Sequence, residues 1–176
     1  IIVTGKLNVT GVPDAQGNLP KIIGGGSNRL FKVESGGELV VRSLNLTGGN
    51  IDTEGGAIYV AAGILMSTDS FFVNNRASLN DVGVGGAIYG VSGAVLQFVN
   101  NNFSHNYAGH HGGAIYMSGG SATLSVRNSV IDRNEAKYGG AGIFCQYGTC
   151  TVLKSIIRDN QVLAQTNYYG GAAVWV

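Results

Sequence analysis

The sequence predicts an all-β fold, a right-handed, single-stranded parallel β-helix with three short strands per turn. Two recurring phrases and two missing signals predict it. Gly-Gly-Ala-Ile-Tyr stands at residues 55–59, 85–89 and 112–116. Looser copies follow at Gly139-Gly140-Ala141-Gly142-Ile143-Phe144 and Gly170-Gly171-Ala172-Ala173-Val174-Trp175. Counted from Gly55, Gly85, Gly112, Gly139 and Gly170, the spacings are 30, 27, 27 and 31 residues. A period in that range belongs to solenoids and propellers. The second phrase closes on asparagine at Asn75, Asn106, Asn134 and Asn160, three residues after Phe72, Phe103, Ile131 and Ile157. Helical periodicity and Asn-Gly hairpin signals are both missing, so the strands follow one another in a coil of constant sense. A propeller needs four antiparallel strands per repeat, and the repeats have no room for them.

Residues 1–36 are the least regular. Ile1-Ile2-Val3, Leu7-Asn8-Val9-Thr10 and Leu30-Phe31-Lys32-Val33 read as short strands, separated by turn material around Pro13-Asp14 and Gly24-Gly25-Gly26. They form irregular first turns of one array, which becomes regular over residues 37–176. Each regular repeat opens on the glycine phrase. A second strand follows a small-residue turn, as in Gly63-Ile64-Leu65-Met66, Gly93-Ala94-Val95-Leu96 and Ser121-Ala122-Thr123-Leu124. The third ends on the asparagine, with Ala77, Ala108, Ala136 or Val162 two residues beyond it. A polar loop of variable length completes the turn.

Parallel stacking at about 4.8 Å per turn places like residues on like. Phe72, Phe103, Ile131 and Ile157 then form an internal apolar column. The four asparagines form a second column, whose amides donate one way along the axis and accept the other. Asp132-Arg133 on one turn faces Arg158-Asp159 on the next, so opposite charges stack.

Composition narrows the classes. With 44% hydrophobic and 12% charged residues, the chain is too apolar to be disordered. The net charge of +1 carries no electrostatic footprint for nucleic acid. The longest apolar run, residues 57–66, is far short of the roughly 20 residues of a membrane span. The chain starts at Ile1 and is expected to be one stretch of a longer protein. Cys145 and Cys150, with four residues between them, suit a disulfide that closes a tight connection.

The glycine phrases at 55, 85 and 112 and the literal Phe-x-x-Asn copies at 72 and 103 resemble the repeats of the chlamydial polymorphic outer membrane proteins. The resemblance covers roughly residues 37–176, with isoleucine in place of phenylalanine at 131 and 157. It implies a β-helical passenger at the cell surface or in the extracellular space, with a role in adhesion.

Several residues are candidates for chemistry. Strand alternation sends Ile58 and Val60 inward and Tyr59 outward, so Tyr59, Tyr89 and Tyr116 are expected to form an outward aromatic ladder flanked by Ala57, Ala87 and Ala114. Such a ladder can bind sugar rings or a protein partner, or simply brace the sheet. His105, His110 and His111 cluster within seven residues. They read as solvated loop residues, with a zinc or copper site as the sharper alternative. The acids Asp52, Glu54, Asp69, Asp81, Asp132, Glu135 and Asp159 are scattered, unlike the convergent carboxylates of β-helical lyases and hydrolases. Asn8, Asn45 and Asn102 open Asn-x-Ser/Thr sequons and are expected to face outward, where a glycan could attach. Threonines do not recur at one repeat position, which leaves ice binding a remote alternative.

Together these point to a non-enzymatic, secreted or surface-exposed scaffold for adhesion or assembly. Its partners are expected to be other protein subunits or surface glycans, and no cofactor is expected. Contacts are expected from the ladder, from loop residues 79–82 and from loop residues 107–111. A carbohydrate-active enzyme, or a fragment of one, is the competing reading, and a structural subunit of a larger assembly is the third.

Overall fold

In the computed structural model, which describes residues 1–78, 81–164 and 171–175, the chain coils into a parallel β-solenoid. Its strands pair in register with the same strand one turn on. One turn shows the pattern. Ile58–Ala61 lies in sheet 1, Ile64–Thr68 in sheet 2, Phe71–Val73 in sheet 3 and Arg76–Ala77 in sheet 4. The three expected strands are present, and the residues just past the asparagine add a two-residue fourth. Among the described residues, sheets 1 to 4 hold seven, six, six and five strands. The early strands Ile2–Val3, Lys6–Thr10 and Lys21–Ile23 join sheets 1, 2 and 3. Leu79 and Asn80 of the expected contact loop, Gly170 of the last glycine phrase and Val176 lie outside the described residues.

The corners follow from backbone sterics. Only glycine enters the left-handed region freely, and asparagine and aspartate tolerate it best among the rest. Sheet 2 passes to sheet 3 at Ser43, Asp69, Asn100, Asn128 and Lys154, and sheet 3 to sheet 4 at Asn74, His105, Arg133 and Asp159, all with positive φ. The glycine phrase begins the same way, with positive φ at Gly55, Gly85, Gly112 and Gly140. This corrects the expected register of the fourth copy. Ile143 pairs with Ile115, so Gly140, not Gly139, is the equivalent of Gly112. The glycine after each of the first three turning glycines, Gly56, Gly86 and Gly113, is pressed against the next turn, whereas the fourth turn carries Ala141 there. A Cβ on Gly86 would lie 2.2 Å from the Gly113 carbonyl oxygen, so no side chain fits there.

The bore is one continuous apolar core. Leu46, Phe72, Phe103 and Ile131 stack on one wall with no exposure, and the Phe72 and Phe103 rings lie parallel at 4.7 Å. Phe98 closes against both rings edge-on. Burying a side chain of this size contributes about 1.5–3 kcal/mol, and the same holds for the other apolar columns that fill the bore.

Two polar ladders line the inner corners. Nδ2 of Asn75 donates to Oδ1 of Asn106, Asn106 donates to Asn134, and Asn134 donates to Asn160, at 2.9–3.1 Å. Each Nδ2 also donates to a backbone carbonyl of the preceding turn. A second ladder runs through Ser70, Asn101, Ser129 and Ser155, whose side chains accept the backbone N–H of the turn before. The sequence reading missed it, although a serine or asparagine recurs two residues before each Phe or Ile of the apolar column.

Cys145 and Cys150 form a disulfide. They continue the inward columns of Met117 and Leu124, so the bond crosses the bore side of the corner between sheets 1 and 2.

Candidate functional site

Sheet 1 carries the aromatic ladder on its outer face. Tyr59, Tyr89 and Tyr116 are in register, and the column continues through Phe144 and Trp175. Successive ring centroids are 5.3, 5.4, 5.1 and 4.3 Å apart. The first two steps are tilted, whereas Tyr116, Phe144 and Trp175 lie nearly parallel.

Exposure divides this ladder. Tyr59 and Tyr89 are half-buried, but Tyr116 is 8% exposed and Phe144 2%. The three tyrosines share the outer face as one ladder, but Tyr116 is covered there. His111 lies over the lower rungs, with its ring 4.2 Å from Phe144 and nearly parallel to it. The Tyr116 hydroxyl is turned aside to donate to Gln146 Oε1. The flanking Ala57, Ala87 and Ala114 are fully buried in the core and add no surface.

The open end of the ladder is electrostatically distinct. The Arg29 guanidinium sits 4.9 Å from the Tyr59 ring centroid and Lys32 Nζ sits 5.7 Å from it, within cation–π range. Burial pulls Arg29 below the ordinary guanidinium range, with the Glu54 carboxylate opposing. Burial pushes the Tyr89 phenol up to about 12, helped by Tyr116, Tyr59 and Glu54. Tyr89 thus keeps its proton across the physiological range and presents a permanent O–H donor beside a pair of aromatic faces.

The histidines separate. His105 is exposed at the corner of sheets 3 and 4. His110 and His111 touch edge-to-face at 4.0 Å, and His110 packs against Tyr138 at 5.0 Å. His111 is not a solvated loop histidine, because it is buried as part of the aromatic stack, whereas His110 is half-buried. Burial, then the neighbouring His110, lower His111 to about 4. Burial also lowers His110. No cluster of three or more potential metal ligands occurs among the described residues.

The acids do not converge. Asp81 pairs with Lys137, and Asp69 accepts from Asn100 Nδ2 at 3.1 Å. Asp132, only 4% exposed, lies 3.4 Å from Arg133 and 3.8 Å from Arg158, the opposite-charge stacking expected from register. Of the sequon asparagines, Asn8 is exposed. Asn45 and Asn102 both pair in register with Phe71 on the outer face of sheet 3. Both are half-buried, with Oδ1 atoms that lack a hydrogen-bond partner among the described residues.

Residues 102–118, which span the second Phe-x-x-Asn phrase and the third glycine phrase, match the Chlamydia polymorphic membrane protein (Chlamydia_PMP) repeat. The chain is also 31% identical over 120 residues to the probable autotransporter YfaL of Escherichia coli (strain K12). It is 35% identical over 107 residues to the metabotropic glutamate receptor-like protein R of Dictyostelium discoideum. These alignments cover 62% and 60% of this chain but only 10% and 6% of the relatives. No solved structure matches the chain significantly. The chain is thus a parallel β-helix that carries a repeat of the polymorphic membrane protein type, and it is similar to a short stretch of much longer proteins.

Proposed function

We propose that this β-helix is a non-enzymatic scaffold displayed at the cell surface or secreted, and that it mediates adhesion through the open end of its aromatic ladder. The observation that carries this reading is the half-exposed pair Tyr59 and Tyr89, held in register with tilted rings 5.3 Å apart, with Arg29 and Lys32 against Tyr59. Stacked aromatic faces with a polar tip are suited to sugar rings and to protein hot spots alike. Parallel pairing fixes the rings in place, so little ordering entropy opposes binding. The polymorphic membrane protein repeat and the similarity to an autotransporter support a surface location, and the length of those relatives supports a place within a longer protein. Neighbouring segments or subunits would then share the assembly role.

Beads coated with the purified chain, applied to mucin-coated and bare surfaces, test the reading. Retention on mucin that falls about tenfold with Tyr59→Ala and Tyr89→Ala together supports it. Equal retention of wild-type and variant beads would sink it. Turnover of a polysaccharide panel by the wild-type chain would favour the enzymatic alternative.

A further inference from the structure

The corner between sheets 3 and 4 is indented. On successive turns the chain bends at Asn74, His105, Arg133 and Asp159, and the next residue is an asparagine that turns inward to join the amide ladder. A groove opens along this line, walled by Arg76, His105, Tyr107, Arg133 and Glu135, with Asn106 at its floor.

Arg76, Tyr107 and Glu135 occupy one register position on three successive turns. The Arg76 guanidinium stacks 4.1 Å from the Tyr107 ring centroid, and its Nε–H donates to Ser78 Oγ at 2.8 Å. These two contacts hold the exposed guanidinium in place and leave its terminal N–H groups for another partner. Among the described residues Arg76 has no carboxylate partner. Arg133 is exposed and lies 3.4 Å from Asp132, which Arg158 also approaches, while Arg158 in turn reaches Asp159. The lining of the groove itself carries two guanidiniums, Arg76 and Arg133, and one carboxylate, Glu135. Arg133 also occupies a left-handed position where other turns carry Gly48, Asn74 and Asp159. Those residue types tolerate that backbone better.

We propose that this groove is a binding site for an acidic linear polysaccharide. Arg76 and Arg133 stand two turns apart, roughly 10 Å along the axis, which suits charged groups carried on successive sugars. Each guanidinium forms paired bonds to a carboxylate or a sulfate, as an ammonium cannot. Tyr107, midway between them, has one ring face covered by Arg76 and leaves its edge and hydroxyl for the intervening sugar. The groove runs lengthwise over three turns, so a chain fits it better than an isolated anion does. It lies on a different wall from the tyrosine ladder and stands independently of the adhesion reading.

Calorimetric titration of the chain with oligogalacturonate and with a heparin oligosaccharide separates carboxylate from sulfate recognition, with a neutral cello-oligosaccharide as the blank. At least one acidic probe is expected to bind. Arg76→Gln combined with Arg133→Gln is expected to weaken it about tenfold or more, and Glu135→Gln to tighten it. Arg127→Gln, at the corner of sheets 2 and 3, is expected to leave it unchanged. Circular dichroism and melting curves establish that each variant is folded. The proposal is overturned if neither acidic probe binds, or if Arg127→Gln weakens binding as much as the paired variant does. It is also overturned if poly-glutamate binds as tightly as the sugars, which would assign the groove to an acidic peptide.

Discussion

Oδ1 of Asn134 accepts two bonds from Asn106 on the turn before, one from its backbone N–H at 3.0 Å and one from its Nδ2 at 2.9 Å. One oxygen thus satisfies a corner N–H and a side-chain amide where no water reaches. The same pattern links Asn75 to Asn106 and Asn134 to Asn160. The ladder answers the question of where the corner's buried donors find their partners.

Asn106→Ala is therefore expected to be severely destabilising. It strands the backbone N–H of Asn75 and removes one of the two bonds of Asn75 Nδ2 and the side-chain bond to the Phe72 carbonyl. At about 1–3 kcal/mol for the orphaned buried group, with the lost bonds added, the loss should total roughly 3–5 kcal/mol. Asn160→Ala, at the partly exposed end of the ladder, should cost less because water can replace some of the bonds. Urea unfolding of both variants measures this, and equal losses would refute the ladder's role.

Phe103→Ala opens a cavity between the parallel Phe72 ring and the edge-on Phe98 ring. The expected cost is about 3–5 kcal/mol. Phe103→Ile introduces the residue that the next turn already carries at Ile131, so its cost should be clearly smaller. Urea midpoints compare the two, and an isoleucine variant as unstable as the alanine one would contradict stacked, interchangeable rungs.

Stability is expected to fall as pH drops from about 6.5 towards 4. His111 titrates near 4 when folded, against 6.5 ordinarily, because burial disfavours its charged form. Between those values the unfolded chain binds more protons, so acid favours unfolding. The lowered His110 acts in the same direction. His111→Phe keeps a ring on Phe144 and removes one titrating group, so its stability should decline less steeply across this window. Chemical denaturation at several pH values decides, and identical slopes would exclude His111 as a contributor.

Reducing the Cys145–Cys150 bond frees a loop of about six residues, and chain entropy predicts a loss of about 2 kcal/mol for that length. The strands on either side are held by neighbours on sheets 1 and 2, so the far-ultraviolet circular dichroism should not change. Unfolding curves with and without dithiothreitol measure the difference. Collapse of the β signal on reduction would show that the bond organises the coil rather than bracing it.

Winding, register and bore were legible because a solenoid repeats its chemistry at each turn. Phe72 over Phe103, Asn75 over Asn106 and Asp132 beside Arg158 all follow from spacing alone. The offset in the fourth glycine phrase was hidden by the extra glycine at Gly139, since Gly139-Gly140 reads as the pair until Ile143 is seen to pair with Ile115, which makes Gly140-Ala141 the equivalent of Gly112-Gly113. The Ser70 ladder was visible in principle but was masked by its short, common residue type.

By itself the sequence determined which side chains face in and which face out, because strand alternation and turn-on-turn pairing are local rules. It did not determine which outward residues are accessible. Tyr59, Tyr89 and Tyr116 occupy the same position in identical phrases, yet only the first two remain open. His111 reaches across from the loop that precedes the phrase and packs over the ladder's lower rungs. The groove beside Tyr107 likewise depends on three turns at once, since Arg76, His105 and Arg133 meet only when the coil closes. Accessibility is a property of neighbouring turns, and only the tertiary structure brings those turns together.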